Sequence, residues 1–200
     1  MNRVELKTAA KEQIRGKIGI LFLITLIIGL ITSVLNVIPT IGSIASALIT
    51  PVLSLSLISI YLNLIKGVTP AVNDIFSNIG EFWSAFKVYF LVGLFTSLWS
   101  LLFVIPGIIK GISYSMAPYI LAENPGKPAL ECINESKAMT EGHKMELFVL
   151  SLSFIGWALL CGVTFGIAYI WVGPYMQATM ANAYNSLKPA APVVEAEAAE

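Results

Sequence analysis

A single histidine, His143, and two cysteines, Cys132 and Cys161, are all the chain offers toward soft metal ligation or thiol chemistry. Neither cysteine sits in a metal-ligand spacing. Cys132 falls in a charged connection and Cys161 inside an apolar run, so both read as small apolar residues and not as a disulfide. Nucleophile–base sets, phosphate-cradling glycine loops and carboxylate clusters at metal spacing are also missing from the pattern. Charge is scarce. The chain has 12 Lys or Arg and 12 Asp or Glu, 12% of its residues, where an ordinary soluble domain carries about 25%. The two signs cancel to a formal net charge of zero, which removes the basic footprint expected of a nucleic-acid binder. These absences assign no catalytic residue, no cofactor and no metal, and the expectation is a protein that is not an enzyme.

What the chain has is apolar length. Hydrophobic residues make up 56% of it, with a mean hydropathy of +0.80. That leaves too little polar surface to cover a soluble globule. A transmembrane helix needs about 20 mostly apolar residues. Spans of this kind are read at 17–38, 44–66, 87–105, 107–122, 146–169 and 171–187, the fourth short and the sixth short and polar. The first apolar run exceeds the roughly 7–15 residues of a signal-peptide core, so it is expected to stay as a membrane helix. With the N-terminus inside, Lys110 is the only Lys or Arg that falls outside. The other basic residues gather in three segments, Arg3 to Lys17, Lys66 to Lys87 and Lys127 to Lys144, plus Lys188. This asymmetry predicts cytoplasmic N- and C-termini by the positive-inside rule.

The inner connections carry their own pattern. Val72, Ile75, Phe76, Ile79, Phe82, Trp83 and Phe86 recur at helical spacing, behind a Thr69-Pro70 start signal. The spacing predicts an amphipathic helix over 70–86, lying in the headgroup layer; a loop helix packed on the spans is the alternative. Residues 3–15 repeat the pattern more weakly through Leu6, Ala10 and Ile14. Residues 128–141 do so through Leu130, Ile133 and Met139, between Pro128 and Gly142.

The fold class read from this is all-α and polytopic, with about six transmembrane helices arranged as three hairpins, each preceded by an amphipathic interfacial helix. The three units are 3–66, 70–122 and 127–187, within one membrane domain over 1–188. Val37-Ile38-Pro39 recurs as Val104-Ile105-Pro106. Pro51, Pro118 and Pro174 mark the second helix of each hairpin, and Lys17, Lys87 and Lys144 mark the membrane edge. Residues 189–200 are Ala, Pro, Val and Glu, have no packing face, and are expected to be disordered.

Four residues stand out as candidates for function. Lys110 begins span four within Gly107-Ile-Ile-Lys-Gly111. It is a candidate contact for an anionic lipid or ligand, or a side chain that snorkels to headgroups. Gln177, Asn182 and Asn185 make span six polar, as a hydrophilic pathway or as helix-packing groups. Gly107/Gly111 and Gly162/Gly166 are small-xxx-small pairs that allow close helix approach. His143 reads as an interfacial anchor.

Several stretches resemble a known family. They include Pro106-Gly107-Ile108-Ile109-Lys110, Ser113-Tyr114-Ser115-Met116-Ala117-Pro118-Tyr119, Asn124-Pro125, Glu135-Ser136-Lys137-Ala138-Met139 and Leu152-Ser153-Phe154-Ile155-Gly156-Trp157. They are similar to the bacterial integral membrane family of domain of unknown function 975, over most of residues 3–187. The resemblance implies a multi-pass bacterial membrane protein without a settled activity, and it transfers no catalytic residues. The expected role is an accessory in the plasma membrane or envelope, with membrane lipids or another membrane protein as partner and no nucleic acid. The alternative is a small transporter or exporter with a pathway at the hairpin interfaces.

Overall fold

The computed structural model describes residues 2–37, 41–164 and 166–188, and among these every regular element is helical. The Pro39 turn, Phe165 and the 189–200 tail lie outside the described residues. Helix α1 (Arg3–Ile14) begins at Asn2, whose side chain accepts the Val4 amide at 3.1 Å. Its Leu6, Ala10 and Ile14 are buried, as their spacing predicts. Gly16, at φ +76°, then turns the chain sharply into α2 (Ile18–Leu35). The same device recurs where α7 (Ala129–Thr140) meets α8 (Lys144–Leu152), with Gly142 at φ +82°. A positive φ of this size suits glycine and strains other residues.

The remaining helices are α3 (Ile41–Ile65), α4 (Phe82–Leu102), α5 (Val104–Tyr114), α6 (Ala117–Glu123), α9 (Ile155–Val163) and α10 (Tyr169–Leu187). Five stretches are long and apolar enough to cross a membrane: Ile18–Leu35, Gly42–Ile65, Val72–Leu101, Val104–Glu123 and Lys144–Val163. α10 has the length, at 19 residues, but its polar content leaves it outside that set. Burial divides the five. Gly42–Ile65 and Val104–Glu123 are 56% and 50% buried, against 11%, 11% and 17% for the other three. α3, α6 and α10 thus form the centre, with α3 packed on both others. α2, α4 and α8–α9 surround it and expose Leu, Phe and Trp side chains outward.

The segments before each peripheral helix also pack on central helices. α1 lies on α10, Val72–Phe76 lies on α3, and α7 lies on α5 and α6. α1 and α7 each bury one face in this way, whereas Phe76, Ile79 and Trp83 of the second segment stay exposed.

Two local expectations are corrected. The 70–86 helix does not form as one unit. Val72–Phe76 and Ile79–Glu81 are 3-10 turns, and Phe82, Trp83 and Phe86 open α4. Polar side chains compete for the backbone here. Asp74 accepts the Ala71 amide at 2.8 Å, Ser77 Oγ donates to the Asp74 carbonyl, and Asn78 reaches Ser59 Oγ at 2.9 Å. On α7, Leu130 is exposed, and the buried face is instead Ala129, Cys132, Ile133, Ser136 and Thr140. Small residues on that face allow a close approach to α5 and α6. Lys144 opens α8 and lines an apolar cavity of about 460 Å³ with Ile105, Ile109 and Phe148.

The α4–α5 connection is also tighter than Pro106-Gly107 suggests. Phe103 alone, in extended conformation, separates the two helices, and Pro106 falls in the first turn of α5. A Cβ on Gly107 would lie 2.2 Å from Ser100 Oγ and 2.8 Å from Ser100 Cα, and one on Gly111 would lie 3.5 Å from Thr96 Cγ2. This glycine pair packs α5 against α4. The second pair does not pack, since nothing lies within 4 Å of a Cβ at Gly162 or Gly166. Gly107→Leu is expected to destabilise the hairpin by about 1–3 kcal/mol through overpacking, while Gly162→Ala is expected to be near neutral. Thermal unfolding of the two variants in one detergent checks the contrast.

Candidate functional site

The four residues singled out in the sequence do not converge on one place. Lys110 is half-buried on α5, with Nζ 4.8 Å from the centroid of the Trp99 ring on α4. Such a cation–π contact is worth roughly 0.5–2 kcal/mol, depending on exposure. Asn182 is buried on α10 and pairs reciprocally with Gln13 of α1. Gln13 Nε2 donates to Asn182 Oδ1 at 3.1 Å, and Asn182 Nδ2 donates to Gln13 Oε1 at 2.7 Å. The second hydrogen on Asn182 Nδ2 is within reach of the Ala178 carbonyl, at 2.9 Å. Gln177 is half-buried and Asn185 is exposed. The polar residues of α10 therefore meet three different environments, and Asn182 is engaged in helix packing.

The packing at Asn182 has a reason in the sequence. A buried amide is costly unless both its donor and acceptor are used. Gln13 supplies both partners from a helix whose apolar face, Leu6, Ala10 and Ile14, is already seated on the bundle. The pair thus fixes how α1 lies on α10.

A charged junction that the sequence did not flag lies where α3, α6 and α10 end. Glu123 closes α6, and its side chain is only 14% exposed. It accepts the Tyr184 hydroxyl at 2.9 Å and meets the ammonium of Lys188, both at Oε2. Lys66, just past α3, reaches Oε1 at 3.8 Å. Tyr184 in turn stacks on Tyr119, with ring centroids 5.4 Å apart. One carboxylate thus ties together the ends of all three central helices. A cleft of about 260 Å³ opens beside it, lined by Ser59, Asn63, Lys66, Asn78 and Glu123. The only signal in the sequence was an acidic residue ending the run Pro118-Tyr119-Ile120-Leu121-Ala122, and span boundaries drawn by hydropathy stop just before it.

The break between α5 and α6 is held by α7. Ser136 Oγ accepts the Met116 amide at 3.2 Å and donates to the Ser113 carbonyl at 2.8 Å. Thr140 Oγ1 adds a bond to the Ser136 carbonyl at 2.9 Å. Ser136 and Thr140 are fully buried. Cys132, on the same face of α7, has its thiol pushed up to about 11 by burial, with Lys127 opposing that rise. It is poorly suited to thiolate chemistry at neutral pH. His143 lies beside Glu146 at 3.1 Å on the partly exposed start of α8. Among the described residues, no group of three or more His, Cys, Asp or Glu could hold a metal ion.

The architecture defines a class: an all-helical protein whose apolar helices are compatible with a membrane, with polar groups spent on holding helices together. The chain belongs to the family described as "Protein of unknown function (DUF975)", whose model matches residues 1–110 and 101–191. No curated protein and no solved structure matches it.

Proposed function

We propose that the chain is a non-enzymatic accessory of the bacterial plasma membrane that binds lipid, with six spans and both termini cytoplasmic. One observation carries the choice of accessory over transporter. The centre, where α10 would have to line a pathway, is filled. Tyr61, Ile120, Leu121 and Tyr184 are almost wholly buried there, and Asn182 is consumed by Gln13. A pathway needs polar groups left facing water. The bare outward faces of α2, α4 and α8–α9 need lipid around them, which fits a protein whose partner is the bilayer.

The three-unit organisation belongs to the same reading. It is supported by the glycine turns at Gly16 and Gly142, the buried prolines Pro51, Pro118 and Pro174 in the second helix of each unit, and the packing of each leading segment on a central helix. α10 is the sixth span in this reading, since its buried amide, Asn182, is engaged by Gln13 of α1 and not left to lipid. Lys110, beside Trp99, then faces the outer headgroups.

Purification in native lipid followed by mass spectrometry tests the accessory role; substrate-dependent flux in vesicles holding the pure protein would refute it. Topology is tested separately. In a Cys132→Ala/Cys161→Ala background, Val4→Cys and Ser186→Cys occupy exposed positions. Both are expected to resist an impermeant thiol reagent in intact cells and to react after lysis. Labelling of either from outside would refute the orientation.

A further inference from the structure

α1 carries a second pattern besides its buried stripe. Arg3, Lys7 and Lys11 repeat every four residues, so they share one side of the helix. That side faces the bend between α8 and α9 and the first half of α10. Lys7 Nζ donates to Ser153 Oγ at 2.7 Å and stands 4.7 Å from the Phe154 ring centroid. Lys11 Nζ stands 5.7 Å from the Tyr175 ring centroid. Phe154 and Tyr175 are themselves in edge contact at 5.6 Å, so the two ammonium groups bracket one aromatic pair.

Among the described residues, no salt bridge reaches Arg3, Lys7 or Lys11. Burial lowers the Lys7 pKa, and the like charges of Arg3 and Lys11 lower it further. An anion placed here would relieve that repulsion.

The space around them has the right shape for a two-part ligand. An open cavity of about 710 Å³ is lined by Asn2, Arg3, Val4, Lys7 and Ser153. Lys11 stands at the head of a second, apolar pocket of about 170 Å³, whose walls include Ile14, Ile18, Trp157 and Trp171. A third pocket of about 370 Å³ shares Trp157, Trp171 and Val172 with it and continues along Leu160 and Ile167. Trp157 and Trp171 are both exposed, at 40% and 56%. The surface therefore grades from cationic and hydroxyl-bearing to purely apolar along one line.

We propose that this groove between α1, α9 and α10 is a binding site for an anionic phospholipid, with its phosphate on Arg3, Lys7 and Lys11 and an acyl chain over Trp157 and Trp171. The assignment rests on the lipid-binding reading above and names the class of lipid and its place. A free phosphate would satisfy the cations but leave the apolar trough empty. A zwitterionic lipid would fill the trough but add no net negative charge.

The test is native mass spectrometry of delipidated protein titrated with phosphatidylglycerol or with phosphatidylcholine of the same chains. Wild type is expected to prefer phosphatidylglycerol. Lys7→Gln/Lys11→Gln is expected to lose that preference about tenfold, since charge-assisted contacts to phosphate are removed. Lys7→Arg/Lys11→Arg should keep it, as should the exposed, distant Lys87→Gln. Trp171→Ala should weaken both lipids alike. Lys110 is retained throughout, so an outer-side contact contributes equally to every variant. Equal binding of the two lipids by wild type, or an undiminished preference in the double Gln variant, would overturn the site. If the Gln variant does not fold, the wild-type comparison and the Arg variant still decide it. Lipid retained without charge preference would overturn the groove alone; failure of wild type to hold either lipid would overturn the accessory reading as well.

Discussion

Ser136→Ala is expected to destabilise the protein by about 1–3 kcal/mol, the cost of a buried backbone group left without a partner. The hydroxyl accepts the Met116 amide and donates to the Ser113 carbonyl, where Thr140 Oγ1 stands further off at 3.5 Å. The amide and the carbonyl are free for it because α5 stops at Tyr114 and α6 begins at Ala117. Pro118, in the first turn of α6, has no amide to offer the Tyr114 carbonyl. A continuous helix would have satisfied Ser113 and Met116 internally; the broken one takes its partner from α7. In an apolar setting water cannot substitute. Ser136→Thr keeps the hydroxyl and should retain most of the stability. The check is thermal unfolding in detergent, joined to hydrogen exchange at the Met116 amide, which should accelerate in the Ala variant and not in the Thr variant. An unchanged melting temperature with unchanged exchange at Met116 would show that the hydroxyl is dispensable.

This serine illustrates which parts of the chain could be read without coordinates. Periodicity alone located the buried stripe of α1, because Leu6, Ala10 and Ile14 obey a local 3.6-residue rule. It could not say what the stripe touches, since α10 lies far along the chain. The same rule misplaced Leu130. It weighs apolar character, whereas α7 packs through Ala129, Cys132, Ser136 and Thr140, chosen for size and hydrogen bonding. Residues 70–86 satisfied the periodicity and still did not form one helix. The side chains of Asp74 and Ser77 offered the backbone competing partners that a hydropathy pattern does not register. The Gly107/Gly111 pair was legible as a close-packing motif, but Gly162/Gly166 has the same spacing and packs against nothing. Spacing permits an approach; a facing helix with a matching small residue, here Ser100, decides whether it happens.

The candidate site residues divide along the same line. Asn182 announced itself as an amide in an apolar run, and its role in helix packing follows from the cost of burying it alone. Its partner, Gln13, lies on a helix that reads as weakly amphipathic through Leu6, Ala10 and Ile14, a pattern that does not single out Gln13. The cationic face of α1 was legible as an inward charge bias and nothing finer. That Lys7 and Lys11 stand over Phe154 and Tyr175 depends on α1 crossing two helices from the other end of the chain.

Glu123→Ala is expected to have the other large effect, a loss of about 2–3 kcal/mol, since hydrogen bonds to a charged group contribute about 1.5–3 kcal/mol. The carboxylate is mostly buried and serves three partners from two other helices. Removing it leaves the Tyr184 hydroxyl without its acceptor and brings Lys66 and Lys188 to face each other with no anion between them. The ends of α3, α6 and α10 should then separate, although their apolar packing further along is untouched. Glu123→Gln should fall between wild type and Ala. It keeps an acceptor for Tyr184 but not the charge that holds the two lysines. Lys66 is mostly exposed, at 62%, so Lys66→Gln is expected to change stability little. Exchanging the charges, Glu123→Lys with Lys188→Glu, should recover part of the loss relative to Glu123→Lys alone. Differential scanning fluorimetry of these variants in one detergent orders them. Should Glu123→Ala melt with wild type, the three helix ends are held by apolar packing alone and the junction carries no stability.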